Sequence, residues 1–212
     1  MAKSPVKSKN LSRQSGSSSK KSSAKKPSAK KSSSGKSIAS KSSGKKSELS
    51  GREDLNKLFE HSLKDMYWAE KALTKAIPKM IRNAESEALQ SILEEHLGVT
   101  EMQVTKLEQV FGSIGVPARG KKCPGMEGII TEGNEIMEEF NSPAGDTAII
   151  AAARKVEHYE ISSYMAMISL ADTLGMSKQS QLLKEILAEE QEADGILERF
   201  AVKLALEVLG QN

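Results

Sequence analysis

Four long stretches of this chain carry apolar residues at alternating spacings of three and four, and polar residues break each stripe near its middle. That spacing places each stripe on one face of a helix, the seam it turns toward its partners. The first seam runs Phe59, Leu63, Met66, Glu70, Leu73, Ile77, Met80. The second runs Leu89, Leu93, His96, Thr100, Gln103, Leu107, Val110. The third is Ile150, Ala153, Glu157, Glu160, Tyr164, Met167, Ala171, Leu174, and the fourth is Leu183, Ile186, Glu190, Ala193, Leu197, Phe200, Leu204. Asp194 lies one turn beyond Glu190, beside its seam.

These seams predict helices over about 52–83, 86–114, 145–175 and 178–209. Ala, Leu, Glu, Lys and Met are common in them, and β-branched runs are absent. The first pair joins near "NAESE" and the second near "GMSKQ". Connections this short make each pair an antiparallel hairpin. The segment between the hairpins, from Gly112 to Gly145, is too long for a turn. It is expected to cross the length of the bundle and to hold a short helix near 126–140. The fold class is therefore all-α: a four-helix bundle of two hairpins joined by one long crossover.

Charge divides the chain. Residues 1–50 hold 13 Lys, one Arg and one acidic residue, a net charge of +13. Residues 51–212 hold the other 17 basic and 27 acidic residues, a net of −10, and the sum recovers the +3 of the whole. The stretch "KKSSAKKPSAKKSSSGKS" has almost nothing to bury, so residues 1–50 read as a disordered cationic tail and 51–212 as the bundle. The first residues lack the apolar run of a secretory leader, and no stretch approaches 18 apolar residues. Both point to a cytoplasmic protein with no membrane span. The single cysteine, Cys123, excludes an internal disulfide and reads as a free thiol in a connecting loop.

Glu70, Glu157, Glu160 and Glu190 together would place four carboxylates in one interior layer. An unpaired buried carboxylate must pair, protonate or bind a cation. No Lys or Arg occupies any seam, which leaves protons or metal ions. An oxygen-rich set with one imidazole, His96, suits iron or manganese better than zinc. Glu157 lies 33 residues before Glu190, and Glu70 lies 33 before Gln103. Gln103 thus occupies in the first hairpin the place of Glu190 in the second. The candidate metal residues are Glu70, His96, Gln103, Glu157, Glu160, Glu190 and Asp194, for iron or manganese. Thr100 reads as a hydroxyl bonded to its own helix, and Tyr67 and Tyr164 as packing residues.

The motifs "LKDMYWAEKAL", "EEHLGVTEMQVTKLEQVF", "AARKVEHYEISSY" and "LLKEILAEEQEAD" resemble the YciF/YciE-type family of bacterial stress-response proteins, over nearly all of residues 53–209. That family is similar to rubrerythrin and bacterioferritin. The resemblance implies a ferritin-like bundle around a dinuclear iron or manganese site, usually in a homodimer. Glu157 and Glu160 resemble the Glu-x-x-Glu of the third rubrerythrin helix, and Glu190 resembles the bridging glutamate of the fourth. The second helix departs from the ferritin Glu-x-x-His, offering His96, Thr100 and Gln103. The fourth pairs Glu190 with Asp194 in place of a Glu–His pair. These departures are compatible with metal binding and count against ferroxidase or peroxidase turnover.

The Lys/Ser-rich tail resembles those of linker histones and of some Dps-type ferritins. Without aromatic residues it suits nonspecific, phosphate-driven DNA binding and a nucleoid association. A solubilising or acid-surface-binding tail fits the same composition. Three classes of function remain open: a metal-dependent oxidoreductase or oxidant scavenger, a DNA-associated stress protein with a structural metal site, and a metal-free helical scaffold.

Overall fold

The computed structural model describes residues 40–141 and 144–210. It contains five helices among them: α1 (Ser40–Asn83), α2 (Glu87–Ser113), α3 (Pro124–Glu139), α4 (Gly145–Leu174) and α5 (Ser177–Val208). The four long helices and the short crossover helix lie where the seams place them. One boundary moves. The first helix starts at Ser40, twelve residues before the expected 52, so residues 40–50 belong to α1 and not to a disordered tail. The expectation of disorder for residues 1–39 lies outside the described residues.

The turns explain the topology. Ser86 caps α2, its hydroxyl accepting from the Leu89 amide at 3.4 Å. The buried Asp146, in the first turn of α4, accepts from the amides of Glu85 and Ser86, each at 2.8 Å. Its carboxylate therefore ties the α1–α2 turn to the start of α4. At the other end of the bundle, the Gln179 side chain in α5 donates to Ser113, the last residue of α2, at 2.9 Å. Arg52 of α1 donates to the carbonyl of Leu174, the last residue of α4, at 2.7 Å. The four long helices thus run up, down, down, up, and the segment between α2 and α4 travels the full length of the bundle. This is the ferritin-like arrangement.

Gly175 ends α4 with φ +75°, the left-handed conformation that glycine adopts without a Cβ clash. The Met176 amide then returns to the Ala171 carbonyl at 2.8 Å, so two residues suffice to reverse the chain into α5. In the crossover, Gly120 lies against Trp68. A Cβ there would sit 3.0 Å from that of the tryptophan, closer than packed side chains approach. Beside it the Lys121 amide donates to the Lys64 carbonyl at 3.0 Å. These contacts hold α3 in the outer groove between α1 and α4.

The seams form the core. All the apolar members on α1, α2 and α4 are buried, as are Leu183, Ile186 and Leu197 of α5. Ala193, Phe200 and Leu204 are half-buried. Among the described residues no helix is long and apolar enough to cross a membrane.

Candidate metal centre

At mid-height the apolar core gives way to a polar layer. Glu70, Gln103 and Glu190 are wholly shielded from solvent, and Glu157 and Glu160 are 1% exposed. His96 is 11% exposed by its side chain, and its Nε2 lies 3.2 Å from Glu157 Oε1. One ligand atom each from His96, Glu157 and Glu190 falls within 4.8 Å of the others. Three helices, α2, α4 and α5, thus converge on one compact trio, and α1 contributes Glu70 beside it. Thr100 donates to the His96 carbonyl at 3.0 Å, which satisfies its hydroxyl within its own helix.

Buried polar groups are nearly always partnered, because an orphan loses its hydration without replacement. Here Glu70 Oε2, Gln103 Oε1, Glu157 Oε2, Glu160 Oε1 and both oxygens of Glu190 have no hydrogen-bond partner among the described residues. Six acceptor atoms without donors, in one layer, are a set that calls for protons or a cation.

The electrostatics agree. Burial, with Glu157 and Glu189 adding, pushes the Glu70 carboxyl up to about 8, although the Tyr164 hydroxyl and His96 oppose the rise. Burial also raises Glu160 and Glu190 well above the usual carboxylate range, and the facing carboxylates, Glu70 foremost, push the same way. Burial alone would lower the His96 imidazole. The charge and hydrogen bond of Glu157, with the charge of Glu70, outweigh it and hold His96 above its ordinary value. Without a cation this layer stores protons. A bound cation reverses that preference, because its charge stabilises the carboxylates as anions.

Gln103 and Asp194 behave differently from the other candidates. The Gln103 amide Nε2 donates to Glu189 at 3.3 Å, and Glu189 is also held by Lys106. Gln103 Oε1 lies in the layer without a partner of its own. Asp194 is turned away from the layer. It accepts from Arg154 Nε at 2.7 Å, and His158 Nε2 lies 3.2 Å from its other oxygen. Arg154 holds its carboxyl below the ordinary range. The structure does not bring Asp194 to the candidate trio, since its charge is already matched by Arg154.

Two residues join the site that the sequence reading set aside or passed over. The Tyr164 hydroxyl donates to Glu70 Oε1, linking α4 to α1 within the layer. Burial, and the carboxylates of Glu70, Glu160 and Glu190, push that phenol well above its ordinary value, so it remains a donor. Its signal was present, one turn after Glu160 on the same seam. Glu189 is the other. It lies outside the seam, and its role depends on Lys106 and Gln103, which sequence spacing does not pair with it.

Comparison with known proteins bears on this arrangement. Residues 54–209 match the family described as a domain of unknown function, DUF892. The chain belongs to that family. Like other proteins of the YciF type it is related to Protein YciF of Escherichia coli strain K12. The two are 42% identical over 142 residues, spanning 66% of this chain and 86% of that one. The crystal structure of the E. coli stress protein YciF matches with a TM-score of 0.69 at 40% identity, over 71% of this chain and 96% of that one. YcfI from Rhodopseudomonas palustris matches with a TM-score of 0.67 at 39% identity, over 68% and 92%. A protein from Xanthomonas campestris pv. campestris, 21% identical, shares the fold at a TM-score of 0.58, over 76% and 96%. The YciF-type resemblance read from the motifs thus holds, and so does the ferritin-like fold.

The donor set fits the metals that the resemblance implies. It is hard, rich in anionic oxygen, and carries one imidazole, the composition that favours iron or manganese over zinc. His96, Glu157 and Glu190 would hold one ion. Glu70 and Glu160 place further unpartnered oxygens in the same layer.

Proposed function

We propose that this chain is a stress-response protein whose bundle binds two iron or manganese ions through Glu70, His96, Glu157, Glu160 and Glu190. The single observation that carries the reading is the six unpartnered buried oxygens gathered at one level of the core. Bound there, a redox-active metal pair supplies one-electron chemistry toward Fe(II) or an oxidant. The residues of the chain do the rest. Glu157 orients the His96 ring, the Tyr164 hydroxyl fixes Glu70, and the apolar seams above and below keep bulk water from the layer. The stress-protein description of YciF supports the setting.

Metal analysis after reconstitution with iron or manganese tests this reading. Two ions per chain are expected, and under one ion per ten chains overturns it. A second measurement separates turnover from a structural role. Fe(II) added to the apo-protein in air is expected to oxidise faster than in buffer, and Glu70→Ala to remove the gain. Equal rates with and without protein leave the metal structural.

The N-terminal 50 residues, the tail and the first turns of α1, belong to the same proposal as a separate function. Their +13 charge and lack of aromatic residues support nonspecific binding of DNA phosphates.

A further inference from the structure

A partly open cavity of about 140 Å³ lies between α2 and α5, directly against the metal layer. Ile92, Val99, Ala193 and Ile196 give it largely apolar walls, and the imidazole of His96 forms part of its lining. His96 is also the most exposed member of the compact trio, so the cavity is where the layer meets the outside. Three carboxylates also line it: Glu95, Glu189 and Glu192. Lys106 and Gln103 already engage Glu189. Glu95 and Glu192 are exposed and have no ion-pair partner among the described residues.

From this we infer that the α2–α5 cavity binds a small single-ring apolar molecule, neutral or bearing a cationic group, against His96. Size sets the first limit. A dry apolar cavity of about 150 Å³ accommodates benzene, so this one has room for one aromatic ring. Lining sets the second. Apolar walls with a few convergent polar groups are the general character of small-molecule sites. Charge sets the third. Two unneutralised carboxylates beside the cavity attract an amine and repel a carboxylate. The inference rests on the proposed metal function for whatever chemistry follows binding, and not for binding itself.

The test titrates the full-length protein, metal-free and metal-loaded, with toluene, benzylamine and benzoate, followed by ligand-observed NMR and calorimetry. Toluene and benzylamine are expected to bind at one site, with benzoate at least tenfold weaker than benzylamine. Ala193→Phe fills the cavity and is expected to abolish binding of both. Glu192→Gln, an exposed change that leaves the core untouched, is expected to weaken benzylamine at least twofold and leave toluene unchanged. If Ala193→Phe fails to fold, the Glu192→Gln comparison decides. Absence of toluene and benzylamine binding, equal affinity for benzoate and benzylamine, or full toluene binding by folded Ala193→Phe overturns the inference. Metal content measured on the same samples keeps the two readings apart. Protein that binds toluene but no metal sinks the metal function alone. Protein that binds metal but neither probe sinks the cavity alone.

Discussion

His96 Nε2 lies 3.2 Å from Glu157 Oε1, and that contact joins α2 to α4 through the interior of the bundle. Glu190 brings α5 to the same point. Removing either carboxylate would take one of the three converging groups from the candidate trio. Glu157→Ala and Glu190→Ala are each expected to lose most of the bound metal, measured by elemental analysis after reconstitution. Asp194→Ala is expected to keep it, because Asp194 spends its charge on Arg154. Metal loss in Asp194→Ala equal to that in Glu190→Ala would show the assignment of the layer to be wrong.

The metal-free protein should lose stability as the pH rises. Glu70 has an ordinary value of 4.5 in the unfolded chain and about 8 in the folded one. Between those values the folded state holds the extra proton, so the slope of unfolding free energy against pH is negative. The contribution is full below about 4.5 and is lost as pH passes through about 8. Glu160 and Glu190 shift in the same direction. Metal-free protein is therefore expected to melt several degrees lower at pH 8 than at pH 5.5. Added Mn(II) should raise the melting temperature more at pH 8, since binding displaces those protons. A metal-free melting temperature that rises across this range contradicts the layer's electrostatics.

Glu160 gives a stability–function trade-off that a structural carboxylate would not. It is 1% exposed, and its Oε1 has no partner. Glu160→Gln removes a buried charge that folding must otherwise neutralise with a proton. The variant is expected to be more stable than wild type when metal-free at pH 8, by about 1 kcal/mol or more, and to gain less from added metal. Thermal melts with and without Mn(II) decide it. Destabilisation of the metal-free variant would place Glu160 in a satisfied network instead.

Much of this was legible in the sequence, for a physical reason. A helix repeats every 3.6 residues, so the stripes Phe59-Leu63-Met66-Glu70 and Ile150-Ala153-Glu157-Glu160 declare which face is inward. Asp194 shows where that logic ends. Four residues after Glu190 its position has rotated to the edge of the stripe, and its partner Arg154 comes from 40 residues earlier on another helix. Spacing within one helix does not reveal that pairing. The start of α1 was hidden differently. Residues 40–50 hold one apolar residue, Leu49, so there is no stripe to detect. Extending an existing helix costs no new nucleus, and α1 continues outward from its packed part.

Tyr164 is the donor that Glu70 Oε1 receives, and Glu70 Oε2 has none. Tyr164→Phe keeps the packing volume and removes only that donor. The cost expected for metal-free protein is about 1–3 kcal/mol, the penalty for orphaning a buried acceptor. Metal binding should survive, because no proposed ligand is deleted. Loss of all metal in Tyr164→Phe would assign the hydroxyl to the coordination set.

The cationic tail carries a prediction independent of the metal. Residues 1–39 hold 10 Lys, one Arg and no acidic residue, while residues 51–212 carry −10. DNA binding by the full-length protein is therefore expected to reside in the tail. Each phosphate neutralised contributes a slope of about −0.9 in log affinity against log salt, so about eight contacts give a slope near −7. Affinity should collapse between low and physiological salt and show little dependence on DNA sequence. Because α1 begins at Ser40, deleting residues 1–39 leaves the helix whole, and metal content should be unchanged. Gel shifts of full-length and truncated protein across a salt series measure both. No binding by full-length protein at low salt sinks the tail hypothesis. Undiminished binding by the truncated chain does so as well, and directs attention to Lys71, Lys75 and Lys79, which line one groove between α1 and α3.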